Sequence, residues 1–600
     1  MGAIENLHNR IDLTNIPFTE RGSRLIMFLR NGNTVYLRLA ERWVKWEQET
    51  GHYRERAPLI DRFTFHDPDG LQYDTLTTDT YPHCVTIHSP AGDFDWAFVD
   101  AETLLVRLPA GRYGLQFIVW AEEGRSDRRG GTLRGKRHVA YTTNARLLHN
   151  ELAVLENVEL GEYAGHGGEL LAHQVRLVLE ARPGDVLLLN VTPRLGFQRS
   201  LPDPERTLAE ARARWEEWFA RTPPVLPAYQ QQYDYAWWIM RAGLLSTRFY
   251  FTREALVPSK IHYVGVWHWD QFFHALAYRH VDQHLAEDQL RILLDHQRPD
   301  GMIPDAIHDE GTITRLGHPI EGEVTKPPLI AWTVLQLYEH SGHHDFLEEV
   351  YEPLCRLQAW WFAANSDENG LGFYRHPFSS GLDDSPLWDY GMPVVSPELN
   401  TYLVIQQDSL ARIAELIGDA EGAARYRQGA ADLMERMLAV LWDEQAGLFR
   451  ALHNGEAVPA VTPFNLLPLL TGRLPAPVAE RLVRHLTDPA SFWTEWPLPT
   501  VAINDPHFDP LQMWRGPVWI NVNYLFVEAL KRVGRDDLAA QLRRKTLDLV
   551  MQHRDIYEYY HPITARRPPK AAPIFGWSAA LFIDLALQES AGQLPAEPAG

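Results

Sequence analysis

Two acidic segments far apart in the chain carry the residue types that acetal hydrolysis needs: SSGLDDSPLWD from Ser379 to Asp389, and IYEYYHP from Ile556 to Pro562. Cleaving a glycosidic bond takes one carboxyl group that still holds its proton, for the departing oxygen, and one ionised carboxylate that deprotonates the attacking water. Asp383 has Leu382, Pro386 and Trp388 as neighbours, apolar groups that favour a retained proton, so it is the candidate general acid. Asp384 is its rival, with turn capping or a contact to a sugar hydroxyl as its other uses. Glu558 lies between Tyr557 and the pair Tyr559 and Tyr560, whose hydroxyls can orient a carboxylate and its water, and is the candidate base. An inverting pair stands about 6.5–9.5 Å apart, which leaves room for that water.

Other loops offer sugar-binding groups. An indole presents a flat apolar face to the C–H side of a sugar and an N–H to its hydroxyls. Of the 20 Trp residues, Trp267, Trp269, Trp388, Trp514, Trp519 and Trp577 fall in or beside segments with acids or turn formers. Asp270 follows WHW at the start of a predicted helix, so an N-cap and a sugar contact are both open to it. Arg515 carries a planar fork suited to a carboxylate, either in a structural ion pair or from a substrate. Gln297, at the head of QRPDGMIPD, and Tyr559 complete the candidate binding set.

These residues must be positioned by two different kinds of structure. Up to about residue 200, short runs rich in Val, Ile, Leu and aromatics alternate with Gly, Asp and Pro turns: Ser23 to Leu29, Thr34 to Ala40, Cys84 to Ser89, Thr103 to Pro109, Tyr113 to Ala121 and Val186 to Pro193. They predict an N-terminal antiparallel β-sandwich over 1–200, with a flexible loop at Gly165 to Gly168. Residues 201–228 read as a linker helix opened by Asp203 and Pro204 and stopped by Pro223, Pro224 and Pro227. From 229 to 600 the period becomes helical, with helices expected at about 229–248, 270–280, 284–297, 327–341, 345–366, 397–418, 421–441, 464–471, 476–487, 518–533, 536–553 and 577–591. Twelve helices with alternately long and short connections predict six antiparallel hairpins closed into an (α/α)6 barrel. Every segment rich in Trp and acids follows an odd-numbered helix, so all of them emerge at one end of such a barrel, while the even-numbered connections are short and polar.

Composition narrows the chemistry. A net charge of −21 argues against a nucleic-acid partner, which calls for clustered Lys and Arg, and fits a small carbohydrate. No basic start followed by an apolar core and no apolar run of membrane length occurs, giving the expectation of a cytoplasmic protein without membrane association. Cys84 and Cys355 are too few for a disulfide framework. His262, His268, His274 and His280 lack the spacing of a metal pair, so no metal is assigned and a structural Ca2+ stays open; the oligomeric state is not legible. No GxGxxG, Walker or G-x-S-x-G segment is present, so nucleotide-dependent and serine-hydrolase readings lack support.

The segments WHWD, PDGMIP, SGLDDSP, WRGPVW, EYY and FGWSA (Phe575 to Ala579) resemble the bacterial members of glycoside hydrolase family 63, the mannosylglycerate hydrolase-like and trehalase-related (α/α)6 enzymes. The resemblance spans roughly 230–590. It implies Asp383 as acid, Glu558 as base, inversion at an α-glucoside or α-mannoside, and no organic cofactor. Leu382 stands where trehalases carry Trp, which points away from trehalose and toward an exo-acting α-glucosidase on a small glucoside. An α-mannoside such as mannosylglycerate, or a sugar-binding relative without catalysis, are the alternatives.

Overall fold

The structure, a computed structural model, describes residues 2–42, 45–47, 52–161, 163–165, 170–194, 196–591 and 593. Of the loop expected at Gly165 to Gly168, only Gly165 lies within the described residues. Residues 1–222, joined by 241–245 and 260–264, form one compact unit; 223–240, 246–259 and 265–600 form the other.

The first unit holds two large antiparallel sheets. One runs in the order Leu25–Arg30, Thr34–Leu39, Ile60–His66, Gly111–Ala121, Leu171–Ala181, Arg146–Leu155. The other runs Glu123–Asp127, Gly130–Arg134, His138–Thr143, Val186–Thr192, Thr103–Arg107, Gly92–Asp100, Val85–Ser89, Thr77–Thr80. Aromatic rings from the two sheets meet in the layer between them: Phe63 against Trp96, Phe65 against Phe94 and Phe117 edge-on to Tyr141. Such ring pairs bury large apolar area in offset or edge geometries, which holds the sandwich closed. Helix α1 (Pro204–Phe219) belongs to this unit, capped by Asp203, whose side chain accepts from the Arg206 N–H.

The second unit is the (α/α)6 barrel. Its helices are α2 (Gln230–Ala242), α3 (Asp270–Tyr278), α4 (Gln283–Leu294), α5 (Ile330–Ser341), α6 (His344–Ala364), α7 (Pro397–Ile417), α8 (Ala420–Val440), α9 (Ala476–Leu486), α10 (Ile520–Arg532), α11 (Asp536–Met551) and α12 (Gly576–Ser590). An inner ring closes on itself: α12 packs on α3, α3 on α5, α5 on α7, α7 on a 3-10 turn at Leu467–Thr471, that turn on α10, and α10 on α12. All nine residues of α3 and nearly all of α12 are buried, as a helix surrounded on every side requires, whereas outer α9 buries only Leu482, Val483 and Leu486.

Two boundaries differ from expectation. The first barrel helix stops at Ala242, short of the expected 248, and Leu244–Leu245 follows it as extended chain. The segment at 464–471 forms 3-10 turns, because Pro463 and Pro468 each remove an N–H from any longer ladder. Connections entering the inner helices are long (243–269, 295–329, 365–396, 487–519, 552–575), and those leaving them are short (279–282, 342–343, 418–419, 533–535). The long ones gather at the N-terminal ends of the inner ring. Among the described residues no helix is long and apolar enough to cross a membrane.

Candidate active site

The acid loop is built between α6 and α7 from two 3-10 turns, Pro377–Ser380 and Pro386–Trp388. Ser380 Oγ donates to the Pro377 carbonyl and accepts from the Leu382 N–H; the Leu382 carbonyl in turn accepts from Ser385 N and from Trp388 Nε1 at 2.7 Å. The indole of Trp388 is therefore engaged in holding the loop. Gly381 takes a left-handed conformation, φ 74°, directly against the ring of Trp269.

Hydrogen bonding separates the three aspartates of this loop. Asp384 accepts from Gln512 Nε2 at 3.0 Å and from the Trp514 N–H at 2.8 Å. Asp389 receives the guanidinium fork of Arg515, with one bond at 3.0 Å. Both acids stitch the acid loop to the 512–515 segment, and Arg515 takes its ion-pair role. Asp383 has no such tether. Its Oδ1 is buried without a hydrogen-bond partner, 4.0 Å from Lys326 Nζ, while 34% of the side chain stays exposed. Burial, partly offset by Lys326 and reinforced by the negative charges of Asp305 and Asp384, pushes its carboxyl up to about 7.

Glu558 is placed by the long connection between α11 and α12. Its backbone N–H donates to the Ala572 carbonyl and its Oε2 accepts the Ala572 N–H at 3.0 Å. Tyr560 exchanges backbone bonds with Val518, which ties this segment to the one leading into α10. A hydrogen-bonded, fully formed acceptor is what an ionised carboxylate prefers.

Asp270 is the first residue of α3, and Trp269 before it, at the N-cap position, makes no side-chain cap; the Asp270 carboxyl is hydrogen-bonded by its own backbone N–H. Its carboxyl is buried and held well above the usual range, chiefly by burial, with Lys326 lowering it and Glu558 raising it. Asp270 thus stands within electrostatic reach of both Lys326 and Glu558. Tyr559 likewise feels both Glu558 and Asp384.

The aromatic candidates pack mostly on one another. Trp514 stacks on Trp519 with centroids 3.9 Å apart; Trp519 contacts Tyr559 and Trp577, and Trp577 stands edge-on to Trp269. These five rings are buried, so the faces expected to stack on a sugar are largely taken up by ring-on-ring packing, which buries large apolar area. Trp577 Nε1 is buried without a hydrogen-bond partner, and Trp267, edge-on to His308, keeps part of its face exposed.

Gln297 does not fit the binding role expected of it. Its Nε2 donates to the carbonyls of Gly301 and Pro353 and its Oε1 accepts from Arg356, so the whole amide is spent on fastening the turn after α4 to α6.

Two groups escaped the sequence reading. Lys326 and Asp305 form a buried ion pair at 2.7 Å behind Asp383. Asp305 closes the PDGMIPD segment; Lys326 precedes Pro327 and Pro328 in a stretch without periodicity, where only a buried neighbourhood reveals it. His268, fully buried and pushed down to about 3 by desolvation, is a neutral ring in this core. Among the described residues no three His, Cys, Asp or Glu side chains gather in a metal-holding group.

The model of the family described as "Mannosylglycerate hydrolase MGH1-like glycoside hydrolase domain" matches residues 263–578. Mannosylglycerate hydrolase of Thermus thermophilus is 29% identical over 403 residues, covering 54% of this chain and 95% of that one. The crystal structure of a GH63 mannosylglycerate hydrolase from Thermus thermophilus in complex with glucose aligns at 25% identity with a TM-score of 0.50, over 57% of this chain and 97% of that one. A bacterial glucoamylase complexed with acarbose shares the fold along 96% of this chain and 94% of its own, with a TM-score of 0.58 at 13% identity.

Proposed function

This chain belongs to the MGH1-like glycoside hydrolases of family 63, and we propose that it is an inverting, exo-acting α-glycosidase in which Asp383 is the general acid and Glu558 the general base. The observation that carries the reading is Asp383 itself: an untethered carboxyl with an open face, pushed up to about 7, on a loop whose other two aspartates, Asp384 and Asp389, are both tied down. Near neutral pH such a group holds a proton part of the time and can deliver it, which is what leaving-group protonation requires.

Asp383 passes its proton to the glycosidic oxygen as the bond from that oxygen to C1 breaks. Water adds to C1 from the opposite face and its proton passes to Glu558, leaving the sugar with inverted configuration. Asp383 ends ionised and Glu558 protonated, and exchange with solvent restores both. Two carboxyl groups and a water suffice, so the reading uses no cofactor.

For the substrate, a small α-linked hexoside fits the acidic chain and the long connections rich in Trp and acids that gather at one end of the barrel. The sequence favours an α-glucoside. The match to a family described by mannosylglycerate hydrolysis, and the relative bearing that name, favour a hexosylglycerate as the second reading. A panel of α-glucosyl and α-mannosyl disaccharides and glycerates, with the first product's anomer followed by NMR, tests both. Release of a β-hexose from an α-linked substrate is expected. Release of the α-anomer, or turnover by Glu558→Gln at the wild-type rate, overturns the assignment.

A further inference from the structure

Lys326 is buried, with 4% of its side chain exposed, on the segment entering α5. Its Nζ is bound by Asp305 at 2.7 Å and donates to the Phe378 carbonyl at the root of the acid loop. An ammonium group has three donors. One goes to the Phe378 carbonyl and Asp305 Oδ1 is held as an ion-pair partner, so the next charged group is Asp383 Oδ1 at 4.0 Å, and both carboxyl oxygens are buried without a hydrogen-bond partner. Asp305 is held in turn from behind: its N–H donates to Ile313 and its carbonyl accepts from His268.

From this geometry we propose that the Lys326–Asp305 pair is a positioning device that stabilises the carboxylate Asp383 becomes as it gives up its proton. The proposal rests on the reading of Asp383 as the general acid. While Asp383 holds its proton it gains little from a cation 4.0 Å away. As its proton moves to the leaving oxygen, a negative charge grows on the carboxyl in a water-poor site, where a fixed ammonium acts most strongly. The charged groups facing Asp383 are Lys326 and Asp305 from the segments entering α5, and Asp384 on its own loop; Asp270, at the start of α3, faces Lys326 and is flanked by Glu558. Lys326 therefore lowers the proton affinity of Asp383, while Asp305 raises it and spares Lys326 from losing its own charge.

The pair makes opposite predictions for its two members. Lys326→Met removes the cation, so the basic limb of the kcat/KM profile moves up by about one pH unit, and hydrolysis of an unactivated α-glycoside falls by a factor of about 100. Asp305→Asn leaves Lys326 uncompensated, and the same limb moves down. A glycosyl fluoride of the same sugar needs little protonation of its leaving group, so on it Lys326→Met should lose less than about tenfold. Equal losses on glycoside and fluoride, or limbs that stay fixed in both variants, overturn the proposal. If Lys326→Met does not fold, the direction of the Asp305→Asn limb decides alone. Asp383→Asn is the control: if it loses as much on the fluoride as on the glycoside, the acid assignment has failed, whereas a loss confined to the glycoside with fixed limbs in the pair variants sinks only the role of Lys326.

Discussion

Gly381 lies flat on the indole of Trp269: a Cβ added at Gly381 would stand 2.3 Å from Trp269 Cζ2. This one contact joins the acid loop to the segment entering α3, so the geometry of Asp383, two residues on, depends on a position that admits no side chain. Gly381→Ala meets both that overlap and a φ of 74°, which L residues other than glycine adopt at a cost. The expected loss is about 2–3 kcal/mol of stability, with a drop in kcat as the loop shifts. Thermal unfolding and single-turnover rates on the purified variant read both.

Asp383→Asn should lower kcat at least about 1,000-fold and also change how stability depends on pH. An acid whose folded pKa lies near 7, above its unfolded value, keeps its proton longer in the folded state. Its contribution to stability therefore falls as pH rises from about 4 to about 7, and the cost of the buried charge is complete above that. Removing the ionisable group should raise stability above about pH 7 by about 1–2 kcal/mol, a figure reduced because a third of the side chain is open to solvent. For the wild type, kcat/KM should decline above about pH 7. Unfolding curves for both proteins at about pH 5 and about pH 8 check the sign.

Asp270→Ala separates binding from capping. Since no side-chain cap is made at this helix start, a loss of about 100-fold in kcat/KM with less than about 1 kcal/mol change in stability is expected, as for a polar group facing substrate. Normal kinetics with a lowered melting curve would remove Asp270 from the site.

Gln297→Ala should behave in the opposite way. Breaking the hydrogen bonds that fasten the turn after α4 to α6 leaves buried carbonyls unpaired and should cost about 1–3 kcal/mol, with kcat/KM on the true substrate within a few-fold of wild type. Urea unfolding together with steady-state kinetics measures the split.

Much of the architecture was written in local pattern. The alternation of long, Trp- and acid-bearing connections with short polar ones announced the barrel and the end at which its chemistry gathers, because hairpin order forces alternate loops to one side. The apolar neighbours of Asp383 and the tyrosines around Glu558 make those two acids candidates on local grounds, since a side chain's chemistry and its near neighbours are local properties. The β-runs were legible where they were continuously apolar, as at Val186–Thr192, which is buried along its length, and not at Arg146–Leu155, an edge strand with little burial to shape its composition.

What only the tertiary structure decided was which polar groups are already spent. Asp383 and Asp384 are neighbours in sequence and chemically identical; they part because Gln512 and Trp514, 128 and 130 residues from Asp384, satisfy one and leave the other facing Lys326. Arg515 found Asp389, Gln297 found backbone carbonyls, and the tryptophans found one another. A hydrogen-bond donor has no sequence-encoded address, and burial of a lysine such as Lys326 follows from the summed packing of several segments. The sequence alone therefore names candidate acids, while folding separates the tethered ones from the one left without a tether.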